Sequence, residues 1–169
     1  MPTIHEIGNA VRLRRTEMGL TQADLARASG LSRSTINAVE THNIGNLSIT
    51  KAEELLEAIG LTMSISPASP RAPSKAPPSR TALERAAATA SVSYSPTLTD
   101  KQLERALLKG EASDNIKPHL RALLDEAPMS LLAKVVEEIH LEKGIERSEI
   151  WRLMRSLAHE LKCFRLIWK

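Results

Sequence analysis

The chain has 169 residues, 42% of them apolar and only 2% aromatic, with a formal net charge of +3 at pH 7. That length suits one ordinary domain or two small ones, and the single cysteine, Cys163, excludes an internal disulfide framework. No apolar run approaches membrane-spanning length and the N-terminus lacks an apolar signal region, so a soluble, cytoplasmic protein is expected.

Residues 1–66 predict four helices followed by a strand. The first helix runs from about Ile4 to Met18, with Ile4, Ile7 and Val11 on one face, and stops at Gly19. Thr21 and Asp24 form a capping-box pattern that starts a second helix carrying Ala23, Leu25 and Ala26. Gly30 ends that helix and Ser32 caps the third, from Arg33 to about Glu40, where Ile36 and Val39 form the buried stripe. Thr50 with Glu53 reads as a capping box for a fourth helix bearing Ala52, Leu55, Leu56 and Ile59. The period then changes to two: Leu61, Met63 and Ile65 alternate with Thr62, Ser64 and Ser66. A lone strand leaves its backbone groups unpaired, so Leu61, Met63 and Ile65 are expected to form a dimer arm that pairs with a second copy.

Residues 67–80, PASPRAPSKAPPSR, hold five prolines and no large apolar residue. Such a stretch cannot bury enough surface to offset its ordering entropy. A short helix is feasible in TALERAAATA, residues 81–90, but SVSYSP soon ends it, so a flexible linker is placed at 67–96. Residues 97–169 predict a separate helical domain of four helices. Its last helix carries an apolar stripe of Leu157, Leu161, Phe164 and Trp168, and Arg152, Arg155, Lys162 and Arg165 share that helix.

Residues 22–28 and 33–40 are two short helices joined by a tight turn at Ser29–Gly30–Leu31. Ala26 allows close approach and Gly30 supplies a positive φ, which is helix-turn-helix geometry. The front of the second helix is polar and free of acids, as a major groove surrounded by phosphate requires. Arg33 suits guanine O6 and N7, and Asn37 suits adenine. Ser34 and Thr35 reach bases or phosphates, while Ala38 or the Thr35 methyl fits a thymine methyl.

The stretch EMGLTQADLARASGLSRSTINAVE resembles the Cro/Xre-type helix-turn-helix family of phage and bacterial repressors through Gly19-Leu20, Thr21-Gln22, Leu25-Ala26, Gly30, Ser32, Ile36 and Glu40. The following NLSITKAEELLEAIGLTMSIS resembles the HipB-like antitoxin branch, in which a strand after the fourth helix pairs across the dimer. Over residues 4–66 the resemblance implies a phosphate or flanking-base role for Gln22 and base-facing positions for Arg33, Ser34, Asn37 and Ala38. It also implies that Thr21 and Thr41 lie near the DNA backbone. Beyond residue 66 no family resemblance is evident.

Charge is a weak guide here. Residues 1–66 carry six Lys/Arg against seven Asp/Glu, residues 67–96 four against one, and residues 97–169 thirteen against twelve. Arg12, Arg14, Arg15 and Arg27 are the main phosphate candidates, and Arg71, Lys75 and Arg80 add a basic contribution from the linker. A second echo occurs at 144–153, where GIERSEIWRL repeats the pattern of GLSRSTINAV. His140 replaces the small Ala26 there and Glu146 and Glu149 would face phosphate, so shared helix-capping vocabulary is the better account.

His5, His42, His119, His140 and His159 lack paired ligand spacing; His159 and Cys163 fall four apart but need further ligands. No phosphate loop or nucleophilic dyad is evident, so neither enzyme activity nor a cofactor or metal is expected. The leading expectation is a homodimeric, sequence-specific repressor on a palindromic operator in double-stranded DNA. The alternative is an antitoxin that neutralises a cognate toxin, bound through the C-terminal region, and autoregulates its operon. No membrane partner is expected.

Overall fold

The computed structural model describes residues 4–64, 80–92, 95, 97–110 and 112–169. Expectations for Ile65 and Ser66, and for linker residues 67–79 with Arg71 and Lys75, lie outside the described residues. The described chain is helical, in the order α1 (Ile4–Glu17), α2 (Gln22–Ser29), α3 (Arg33–Glu40), α4 (Ile49–Ala58), α5 (Ala82–Ala90), α6 (Asp100–Lys109), α7 (Lys117–Glu126), α8 (Met129–Lys143) and α9 (Arg147–Glu160). A terminal 3-10 turn spans Leu166–Trp168.

The helix ends follow local chemistry. Thr21 and Asp24 close a reciprocal capping box on α2, and Gly30 ends it in the left-handed conformation at φ 69°. Ser32 caps α3 by accepting from the Thr35 amide. At α4 the cap is Ser48, which accepts from the Lys51 amide. The capping box expected at Thr50 and Glu53 is therefore corrected: the helix begins two residues earlier, because Ser48 already satisfies a leading amide. Leu61 to Ser64 adopt no strand, and no strand occurs among the described residues. A strand whose partner is a second copy has no ladder to join within one chain.

The segment placed as a linker contains a helix among its described residues. Residues 82–90 form α5, capped by the Thr81–Glu84 box, with Leu83, Ala86, Ala87 and Ala90 buried. Glu138 of α8 accepts from the backbone amides of Ala82 and Leu83. These four apolar residues recur at i, i+3, i+4 and i+7, a complete helical stripe. Its alanines bury little area each but let α5 lie close against α6, α7 and α8.

The C-terminal helices do not stand apart from α1–α4. One continuous core runs from Val11, Leu25, Ile36 and Leu55 through Leu83 and Leu103 to Ile139, Trp151 and Trp168. Helix α9 packs on α1, α8 on α4, and the terminal turn on α2. Gly60, at φ 71°, lies so close to the Met129 carbonyl that a Cβ there would sit 2.6 Å from its oxygen. The expected independence of 97–169 gives way to a shared interior.

The expected terminal stripe also divides. Helix α9 stops at Glu160, and Lys162 turns the chain at φ 55°. Asp125 of α7 then accepts from the amides of Phe164 and Arg165 at 2.8 and 3.2 Å, folding the tail back. Trp168 is buried, donates from Nε1 to the Leu124 carbonyl at 2.9 Å, and lies 6.4 Å from Trp151 between ring centroids. Phe164 is 68% exposed, with the Arg121 guanidinium 5.0 Å above its ring centroid. Cys163 is consequently off the α9 face that His159 occupies. Burial, then the Asp125 charge, pushes its thiol up to about 11, which keeps it protonated at neutral pH.

Candidate nucleic-acid interface

Helix α3 is anchored by its back and open at its front. Ile36 and Val39 are fully buried, whereas Arg33, Ser34 and Asn37 are exposed. Ala38 and Thr35 are half-buried at the edges of that front. Helix α3 packs on α1 and α2, so the C-terminal helices leave its front uncovered. Arg33 has no charged partner among the described residues, and its five donors are available for a guanine edge.

The rest of the front is preset by hydrogen bonds. The Gln22 Nε2 donates to Asn37 Oδ1 at 3.3 Å and to Glu40 Oε2 at 3.0 Å, tying the start of α2 to the face of α3. Ser32 Oγ lies 2.7 Å from Ser34 Oγ and 2.8 Å from Thr35 Oγ1, a hydroxyl cluster at the start of α3. Thr41 is exposed, and its Oγ1 donates to the Asn37 carbonyl at 2.7 Å. Thr21 is exposed at the start of α2, but its hydroxyl is engaged by Asp24 at 2.7 Å. The hydrogen bonds from Thr21 lead the causes that hold the Asp24 carboxyl below the usual range, outweighing its partial burial.

Two of the expected phosphate contacts have partners within the protein. Arg15 points inward: Nε donates to Glu40 Oε1 at 2.6 Å, Nη2 to Glu40 Oε2 at 2.9 Å, and Nη1 to the Leu20 carbonyl at 2.8 Å. Its side chain is 13% exposed and that of Glu40 3%. It is a clamp between α1, α3 and the α1–α2 turn, with all three of its nitrogens engaged inside the protein. Arg14 is half-buried and faces Glu17 at 3.5 Å. Arg12 and Arg27 are exposed, the latter paired with Asp24.

Glu40, given no contact from the sequence, joins Arg15 to Gln22. Burial alone would raise its pKa. Hydrogen bonds from Arg15 and Gln22, with the charges of Arg15 and Arg12, reverse this and hold it below the ordinary glutamate value of 4.5. Ionised Glu40 thus accepts from both Arg15 and Gln22, and Gln22 in turn orients Asn37. Its signal in the sequence is faint: one acid ending an otherwise acid-free helix, with its arginine 25 positions away.

The echo at 144–153 has the same turn but a different surface. Gly144 takes φ 68°, matching Gly30 at 69°. Yet Trp151, at the position equivalent to Asn37, is 1% exposed, and Arg147 is engaged by Glu137 through two bonds of 2.7 Å. At these two positions helix α9 has spent the equivalent front on the core and on an ion pair. Among the described residues no three His, Cys, Asp or Glu side chains gather as a metal site, and no helix is long and apolar enough to cross a membrane.

No curated protein and no solved structure matches the chain. Residues 11–65, from the middle of α1 to just beyond α4, match the helix-turn-helix family, without distinguishing its HipB-like branch. The segment whose geometry is described above is thus a helix-turn-helix, which supports a DNA-binding transcription regulator.

Proposed function

We propose that the protein is a sequence-specific repressor that binds a palindromic operator as a homodimer. The observation that carries this reading is the open front of α3, where Arg33 has no charged partner among the described residues and Asn37 is preset by Gln22. Two such fronts related by a two-fold axis would read two half-sites about one helical turn apart. The alternating run Leu61, Met63 and Ile65 supplies a pairing edge for the dimer, and Ile49, 63% exposed at the start of α4, supplies apolar surface.

Selection of bound duplexes from a random library tests both features. The expected consensus is an inverted repeat, and Arg33→Ala costs about 1–3 kcal/mol on it while relaxing one base pair per half-site. A bound pool with no consensus, or an Arg33→Ala variant that reads the same consensus equally well, overturns the base-reading assignment. Sedimentation of the full chain with Met63→Pro tests the arm: the variant is expected to be monomeric where the wild type is dimeric. Equal dimerisation rejects the strand.

An antitoxin is the second reading, favoured by one surface feature. Phe164, 68% exposed, lines a groove with Arg121 and Arg165 that a protein partner could cover. A stoichiometric partner co-purifying from the native host, lost on Phe164→Asp, supports a toxin; its absence leaves the repressor.

A further inference from the structure

Helix α9 carries a basic ridge that the helix-turn-helix segment does not include. Residues 148, 152, 155 and 159 recur at intervals of four, three and four, so Ser148, Arg152, Arg155 and His159 share one face. Ser148, Arg152 and His159 are exposed and Arg155 is half-buried, opposite the buried Ile150, Met154 and Leu157. Glu149 flanks the ridge at 3.4 Å from Arg152, yet the Arg152 side chain keeps 72% of its exposure.

The ridge is fixed beside the edge of the α3 front. Arg155 donates from Nη1 to the Gly19 carbonyl at 3.0 Å and from Nη2 to the Met18 carbonyl at 2.7 Å. The next carbonyl, that of Leu20, accepts from Arg15, which grips Glu40. Glu40 and Asn37 in turn accept from Gln22. Polar contacts on either side of the Gly19–Leu20 peptide thus connect the reading face of α3, through the start of α2, to α9. Thr21 and the leading amides of α2 border the same turn, where a duplex seated on α3 passes its backbone.

We propose that the α9 ridge, with Arg152 as its exposed cation, is a second docking surface for the phosphate backbone of the duplex read by α3. This rests on the DNA-binding reading and extends it into the C-terminal half. The ridge contributes affinity without sequence preference, since an exposed guanidinium on phosphate releases counterions and reads no base. It also gives the union of the two halves a purpose: Arg155 holds the ridge at a set distance from the recognition helix.

The test measures binding of the full chain to a mixed-sequence duplex several turns long, across a salt series. Arg152→Gln removes one phosphate contact and Ser148→Arg adds one, so the slope of log K against log salt should shrink by about 0.9 in the first and grow by about 0.9 in the second. The consensus selected by each variant should match that of the wild type. Arg85→Gln, an equal charge change at an exposed position of α5, serves as the control and should leave the slope alone. A gain in Ser148→Arg cannot come from misfolding, so it supports the ridge even if Arg152→Gln were unstable. Slopes unchanged in both ridge variants, with Arg33→Ala still relaxing specificity, overturn this proposal alone and leave the ridge to an acidic protein or to solvent. A wild-type chain that binds no duplex overturns it together with the DNA-binding reading.

Discussion

Arg15 and Glu40 form an ion pair that ties α1 to α3 and, through Gln22, reaches Asn37. Removing one partner of a buried pair leaves an uncompensated charge, so Arg15→Ala should lower stability by about 3–5 kcal/mol in urea melts. Any loss of DNA binding should then follow the loss of fold rather than a changed salt slope; a stable variant with a smaller slope would restore Arg15 to the phosphates. The pair also dictates a pH dependence. Glu40 has a folded pKa below its ordinary value, so its contribution is complete above 4.5 and is lost as pH falls through the depressed folded value. Glu40→Gln should therefore melt below the wild type at neutral pH, with the gap closing in acid. A gap that is constant down to strongly acidic pH would mean that the ionised carboxylate contributes nothing.

At the level of elements, two glycines separate backbone strain from crowding. Gly30 and Gly60 both take positive φ, at 69° and 71°, but a Cβ at Gly30 meets nothing within 4 Å, whereas at Gly60 it meets the Met129 carbonyl. Gly30→Ala should cost about 1 kcal/mol from strain alone. Gly60→Ala adds overpacking of about 1–3 kcal/mol, because backbone cannot step aside as a flexible side chain would. Chemical denaturation of the two variants checks the order, and an equal cost in both would show that α4 and α8 are not pressed together at this point. Helix α5 makes the complementary case: its alanines contribute through proximity, with Glu138 satisfying the amides at its start.

For the whole molecule, the shared core predicts how the chain divides. A fragment of residues 97–169 lacks the Leu83, Ala86, Ala87 and Ala90 stripe and should be markedly less stable than residues 80–169, by circular dichroism and thermal melting. Cleavage at a protease site inserted between Ser64 and Arg80 should leave two pieces that co-elute, held by Arg155 on the α1–α2 turn and by Gly60 against Met129. Pieces that separate freely, with 97–169 as stable as 80–169, would restore the two-domain organisation. Trp151 and Trp168 are both buried, so their emission should follow the main unfolding transition.

Helix starts and stops are legible in the sequence because they depend on partners within about four residues. Thr21 with Asp24, Ser32 with Thr35, and Gly30 each act on their own turn of chain, and the apolar stripe of α3 sets its polar front by simple opposition. Local chemistry of this kind is enough to define the helix-turn-helix and its outward residues. The fate of each remaining charge is not legible in the same way, because Arg14, Arg15 and Arg33 are alike in sequence and differ only in what packs beside them. Glu40 reaches Arg15 across 25 positions and Arg155 reaches Met18 across 137, separations that no local pattern records. The same limit hides the burial of α5, whose small side chains are covered by α6, α7 and α8. Which helix faces meet is decided by the joint packing of the whole core, and only the tertiary structure contains it.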